Sequence, residues 1–182
     1  METRYAIRSF DARMTLEEYA ALPKHPVTVV LDNLRSAYNV GSVFRTADAA
    51  RIEKIITCGV TAHPPHKKLE KTAVGTEKFV RHEHFKTTAL AVASMKAKGV
   101  PVVALETAEN VRTYHEYCYP RPLCLVVGNE ALGVSGDVLA IVNDVVQIPL
   151  FGFKNSLNVV CALNIVLFEA LRQWGFEERT VS

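Results

Sequence analysis

The chain has 182 residues, 49% of them hydrophobic and 22% charged, with a formal net charge of +2. That length suits one domain, and that much apolar sequence excludes disorder as its main theme. A histone-like, all-over basic polycation is excluded as well. The charge is uneven, however. Residues 63–86 hold six Lys/Arg against three acids, whereas residues 87–182 sum to −2. A local basic segment binds phosphates without making the whole protein basic. The plainer reading of the same segment is a solvated charged loop and helix.

The N-terminus METRYAIRSFDARMTLEEYA lacks the apolar core of a secretory signal. No run of about 18 uninterrupted apolar residues exists, so no membrane span is expected. The cysteines, Cys58, Cys118, Cys124 and Cys161, fit neither a zinc spacing nor a CxxC pair. They are expected as reduced core thiols of a cytoplasmic protein.

In chain order, residues 1–26 form an N-terminal extension with a helix expected around Leu16 to Leu22. Continuous apolar runs then predict strands at 27–33, within 51–60, and at 100–106, 122–129 and 144–150, with a short sixth at 79–85. Unbroken runs, as opposed to alternation, suit parallel strands covered on both faces. Helices are expected at 37–50, 87–98, 136–143 and 156–174. Gly99 and Gly175 stand just past two of them, where glycine ends a helix. Strands alternating with helices predict a single α/β domain over 1–182, with a mostly parallel sheet and helices on both faces. No composition break marks a linker.

Three clusters carry chemistry. The first, Asn39-Val40-Gly41, follows the first strand and opens a helix, with Arg45 six residues on. Loops after parallel strands are where ligands bind in such sheets. The segment is neither GxGxxG nor a P-loop. Arg45 is either a surface residue or an anion clamp. The second is VVGNEALGVS at 126–135. There Gly128 permits close backbone approach, and Glu130 ends a buried strand, where an unpaired charge is costly. A helix N-cap region with an acid near the dipole is the alternative. The third is IPLFGFKNSLNVVCALNI at 148–165, in which Ser156 alone would read as a helix cap. The helix that follows is apolar nearly all round, which implies complete burial or an oligomer interface, and the interface is favoured. His63, His66, His82 and His84 supply no HExxH and no third ligand, so no metal is expected. There is no GxSxG elbow for a hydrolase.

Together the clusters resemble the three motifs of the SpoU-type (TrmH-like) RNA 2′-O-ribose methyltransferases of the SPOUT superfamily. The first resembles NxxxxxR in NVGSVFRTADA, and the second VxGxExxG in VVGNEALGVS. The third resembles IPxxGxxxSLNVxxAxxI in IPLFGFKNSLNVVCALNI. They keep the family's order and spacing from Leu31 to about Leu171. The departures are mild: Leu150 and Phe151 before Gly152, and Val160 where a small residue is common.

The resemblance implies S-adenosyl-L-methionine as methyl donor, tRNA or rRNA as acceptor, a C-terminal trefoil knot, and a homodimer with shared active sites joined through the C-terminal helix. It places Asn39, Arg45, Glu130, Ser156 and Asn158 at catalytic positions. It places Leu105, Gly128, Ile148 and Leu157 around the cofactor, with Thr107 nearby. In that context Lys67, Lys68 and Lys71 become candidate RNA-phosphate contacts. Two rivals remain: a non-catalytic RNA-binding or assembly factor with the same fold, and an unrelated α/β nucleotide-binding enzyme, which the missing phosphate loop disfavours.

Overall fold

The computed structural model describes residues 14–175; the first part of the N-terminal extension lies outside them. Seven strands form one sheet: β1 His25–Asp32, β2 Ile52–Cys58, β3 His82–Phe85, β4 Val102–Leu105, β5 Arg112–Thr113, β6 Leu123–Val127 and β7 Asp144–Gln147. Their order is β3-β2-β1-β6-β4-β7-β5, and every pairing is parallel. The helices are α1 Leu16–Ala21, α2 Ala37–Ala49, α3 Lys67–Ala73, α4 Thr88–Ala97, α5 Gly136–Leu139 and α6 Val159–Gln173.

The central strands are apolar without a break because both faces are covered. Side chains alternate across the sheet. Val27, Val29 and Leu31 of β1 and Leu123, Leu125 and Val127 of β6 share one core with Phe44, Leu69, Leu163 and Leu167 from α2, α3 and α6. Val30, Cys124 and Val126 enter a second core with Ala91, Val92, Met95 and Val138 from α4 and α5. Burying each large aliphatic side chain contributes on the order of 2 kcal/mol.

Several expectations are corrected. Residues 79–85 do not form one strand: a 3₁₀ turn covers Thr76–Lys78, and only His82–Phe85 is extended. The two-residue β5 carries too little pattern to announce itself. Helix α3 arises in the basic segment, capped by His66 through Leu69 N–H. Ser156 is not the cap of α6. Asn158 is, accepting from Val160 N–H at 2.9 Å. Cys58 and Cys124 are core thiols, pushed up to about 12 by burial, but Cys118 and Cys161 are exposed. Helix α6 is not buried all round either. Leu163, Val166, Leu167, Ala170 and Leu171 face inward, while Cys161, Ile165 and Phe168 face out.

Candidate active site

The chain order reverses between β1 and β6, where loops from neighbouring strands diverge and leave a crevice at their carboxyl ends. The loop after β6 closes on itself. Asn129 and Gly133 exchange two backbone hydrogen bonds of 2.9 Å. The Asn129 Oδ1 accepts from Ala131 and Leu132 N–H, and its Nδ2 donates to the Asn33 carbonyl at 2.7 Å. Gly128 lies against the Gly133 and Val134 backbone so closely that any Cβ would collide with it. At Gly133 φ is +70°, and a Cβ there would strike the Glu106 carboxylate. Glu106 accepts Val134 N–H at 2.7 Å and Thr107 N–H at 2.8 Å, tying the end of β4 to this loop.

This loop presents Glu130 to the start of α2. Its carboxylate accepts Arg35 N–H at 2.8 Å, Ser36 N–H at 3.0 Å and the Asn39 amide at 2.8 Å. Burial pushes the carboxyl up, but these donors outweigh it and hold Glu130 below the ordinary carboxylate value. Asn39 Oδ1 in turn accepts from the Asn158 amide at 3.4 Å. One chain of polar contacts therefore joins the loops after β1 and β6 to the cap of α6. Behind it, buried Asp32 accepts from Thr88 Oγ1 and from both Ser135 N–H and Oγ.

Beside this chain opens a cleft of about 400 Å³ over the ends of β4, β6 and β7. Leu105, Thr107, Gly128, Ile148 and Leu157 line it, as do Glu130 and Ser156. The size falls within the usual range for small-molecule sites. Apolar side chains stand beside backbone polar groups of residues 128–133, a lining that fits a flat heterocycle with a polar tail.

The model of the SpoU rRNA Methylase family matches residues 26–168. The chain belongs to this family. It is 30% identical over 166 residues to the tRNA (guanosine(18)-2′-O)-methyltransferase of Thermus thermophilus, covering 91% of this chain and 84% of that protein. The Escherichia coli tRNA (guanosine(18)-2′-O)-methyltransferase is also 30% identical, over 86% of this chain and 67% of that one. The Aquifex aeolicus TrmH/SpoU tRNA modifying enzyme superposes with a TM-score of 0.78 at 30% identity, over 87% of this chain and 80% of that one. An AdoMet-bound rRNA methyltransferase from Sinorhizobium meliloti gives 0.76 at 31% identity, over 82% of this chain and 57% of that one.

Of the SpoU positions expected to be catalytic, Asn39, Glu130 and Asn158 form the polar chain, and Ser156 lines the cleft. Arg45 does not join them. It lies on the outer face of α2, exposed, and makes no hydrogen bond or ion pair among the described residues. Six residues along a helix place it about 120° round from Asn39. Of the two readings its sequence left open, the chain by itself leaves Arg45 at the surface. Lys67, Lys68 and Lys71 stand exposed on the outer side of α3. Glu106, Asn129 and Asp32 escaped the sequence reading, although the polar ends of VPVVALE, VVGN and VTVVLD were visible signals. Gly41 serves packing: a Cβ there would strike the Leu69 carbonyl and Thr72 Oγ1, so α2 and α3 approach closely.

Proposed function

We propose that this SpoU protein transfers a methyl group from S-adenosyl-L-methionine to a ribose 2′-hydroxyl of tRNA or rRNA, as a homodimer in the cytoplasm. The observation that carries the reading is the convergence of all five expected cofactor-lining residues on one cleft whose rim bears Glu130 and Ser156. Leu105, Ile148 and Leu157 would hold the apolar faces of the donor, and Thr107 and the backbone at Gly128 its polar edge. The bound donor supplies a methyl group already activated by sulfonium charge.

The chain must then align the acceptor oxygen and lower the cost of charge building on it. A guanidinium does not lose its proton near neutrality, so Arg45 acts as a cation and not as a base. It would hold the RNA phosphate and stabilise the developing oxyanion, whose proton passes to solvent as the donor's methyl–sulfur bond gives way to a methyl–oxygen bond and the neutral thioether leaves. Glu130 fixes the start of α2 by three donors, and Asn39 hands that constraint on to Asn158.

The dimer reading rests on α6. Cys161, Ile165 and Phe168 recur at helical spacing as one exposed stripe. Helix α2 is tied beside α6 by Thr46 Oγ1 to Asn164 Oδ1 at 2.8 Å. A two-fold contact through the stripe would set α2, which bears Arg45, beside the interface, and this supports a site shared between subunits. The family resemblance also supports a knotted C-terminal passage, contrary to the general rule for chains. No helix among the described residues is long and apolar enough to cross a membrane.

The test is direct. Purified protein is titrated with S-adenosyl-L-methionine by calorimetry, then given labelled donor with bulk tRNA or with rRNA, and the product is mapped for 2′-O-methyl groups. Transfer to a ribose oxygen is expected. Donor binding without transfer to either RNA would favour the non-catalytic reading.

A further inference from the structure

A second concavity, of about 530 Å³, lies on the other side of the β1–α2 loop from the cofactor cleft. The residues after β1 and β2 line it. Every ionisable side chain of strong charge in that lining is basic: Arg35 and Lys68, with His63 and His66 beside them. Tyr38, 46% exposed, adds an aromatic ring. The overall charge of +2 makes an acid-free groove a local feature and not a reflection of composition.

The groove is built on a fixed floor. Thr61 Oγ1 donates to the Leu31 carbonyl at 3.2 Å and accepts Leu34 N–H at 2.9 Å. Asn33 Oδ1 accepts Val60 N–H at 3.2 Å. His66 accepts Leu69 N–H through Nδ1, which leaves Nε2 as its outward donor. The His63 ring is held by stacking on His84, with centroids 4.2 Å apart and 27° between planes. His84 is itself anchored by Thr57 Oγ1 at 3.0 Å.

The groove and the catalytic centre share one short segment. Arg35 N–H and Ser36 N–H bond to Glu130 on one side; Arg35 and Ser36 also line the groove. A polynucleotide whose ribose sits at Glu130 can therefore run past this segment directly into the groove. Fixed aromatic planes with cations around them are how proteins hold single-stranded nucleotides.

We infer that this groove is a second RNA subsite, which takes the nucleotide adjacent to the methylated one in unpaired form. Its phosphate lies between Arg35 and Lys68, and its base stacks against Tyr38 and His63. The inference rests on the methyltransferase reading for the position of the acceptor ribose. It adds that the acceptor's neighbour is bound unstacked, so the substrate site is a loop or a single strand.

The experiment measures binding of fluorescently labelled bulk tRNA and of rRNA fragments to the full chain between 50 and 200 mM salt. Arg35→Gln/Lys68→Gln removes two cations and keeps the backbone N–H that Glu130 needs. RNA affinity should fall at least roughly tenfold at low salt, and the slope of log K against log salt should flatten by about 0.7, the value for the one phosphate held between Arg35 and Lys68 on a single strand. Tyr38→Ala should weaken binding by roughly 5- to 100-fold, the effect of losing one stacked base, and Tyr38→Phe should restore it. Calorimetric affinity for S-adenosyl-L-methionine should stay within about twofold, which confirms that each variant is folded. An unchanged salt slope in the double variant, or Tyr38→Ala binding like the parent, overturns the subsite. A parent that binds RNA without methylating it defeats the catalytic reading and leaves the groove standing. A parent that binds neither RNA defeats both.

Discussion

Glu130 and Arg45 belong to one set of motifs, yet the fold treats them in opposite ways. The carboxylate has three donors within 3.0 Å, and a loop of two close-packed glycines holds it in place. The guanidinium stands on the outer face of α2 without an ion pair or hydrogen bond among the described residues. Glu130 is exposed as well; it is held because the start of α2 turns two N–H groups and the Asn39 amide toward it, donors that favour a carboxylate. Arg45 meets no such partner and stays available. On the proposed reading, one half of the centre is complete in a single chain, and the other half waits for RNA, a second subunit, or both.

The largest expected effect breaks the unfinished half. Arg45→Ala should lower kcat by about 10²–10³-fold, the usual loss when one oxyanion donor is removed, with little change in Tm because Arg45 packs against nothing it stabilises. A mixed dimer sharpens this. Arg45→Ala and Glu130→Ala chains, each inactive alone, should regain about a quarter of parental activity when mixed, because a shared two-fold arrangement gives each heterodimer one intact site. Failure to complement would place Arg45 and Glu130 in the same subunit's site.

The next largest effect concerns what brings the halves together. Ile165→Asp/Phe168→Asp puts two charges on the exposed stripe of α6 and leaves its inward face, Leu163, Val166, Leu167 and Leu171, untouched. The chain should sediment as a monomer, keep its helical circular dichroism, and lose most of its transferase activity. A variant that remains dimeric would move the interface elsewhere.

Much of this contrast was legible before any coordinates. Strands β1 and β6 lie in unbroken apolar runs, and the three clusters are marked by Asn, Gly and Ser at short fixed spacings, so those signals are local. What escaped was decided by distance along the chain. Asp32 finds Ser135 more than a hundred residues away, and Glu106 finds Val134; no spacing rule announces such partners. Arg35 drew no reading from the sequence, because what sets it apart is a groove shared with His63 and Lys68 from the next crossover. Helix α3 was legible only as part of a charged loop and helix, because its bounds are set by a histidine cap outside the usual Ser/Thr/Asp/Asn set. The orientation of Arg45 followed from helical geometry alone, 120° from Asn39, and could have been worked out from the count.

Glu130→Gln probes the finished half and should cost less than Arg45→Ala. An amide keeps one accepting oxygen and turns the other into a donor facing donors, so about tenfold in kcat/KM is expected. The pH dependence gives the sign. Glu130 in the folded chain lies below its ordinary value. Its contribution is therefore complete above the unfolded carboxylate pKa of about 4.3 and fades as pH falls through the lowered folded value. The Tm difference between parent and Glu130→Gln should hold at neutral pH and close on acidification below about pH 4. A gap that stayed constant to the lowest accessible pH would mean that the hydrogen bonds, and not the charge, carry the effect.

The smallest effect tests the link between α2 and α6, through which the two halves keep their relative position. Thr46 is 9% exposed, and its hydroxyl donates to Asn164 at 2.8 Å. Asn164→Leu leaves that hydroxyl without its partner, at about 1 kcal/mol, or a fall of about 2–4 °C in Tm for a chain of this size. Thr46→Val on its own strands the amide in the same way. The double variant replaces both ends with apolar groups and should recover part of the loss, with a coupling of about 0.5–1 kcal/mol. Activity distinguishes a strut from a mere packing contact. If Thr46 and Asn164 hold Arg45 in register with α6, kcat falls in both single variants while affinity for S-adenosyl-L-methionine, set by the cleft over β4, β6 and β7, does not. Equal losses in both would show that the tie supports the whole sheet and not the placement of Arg45.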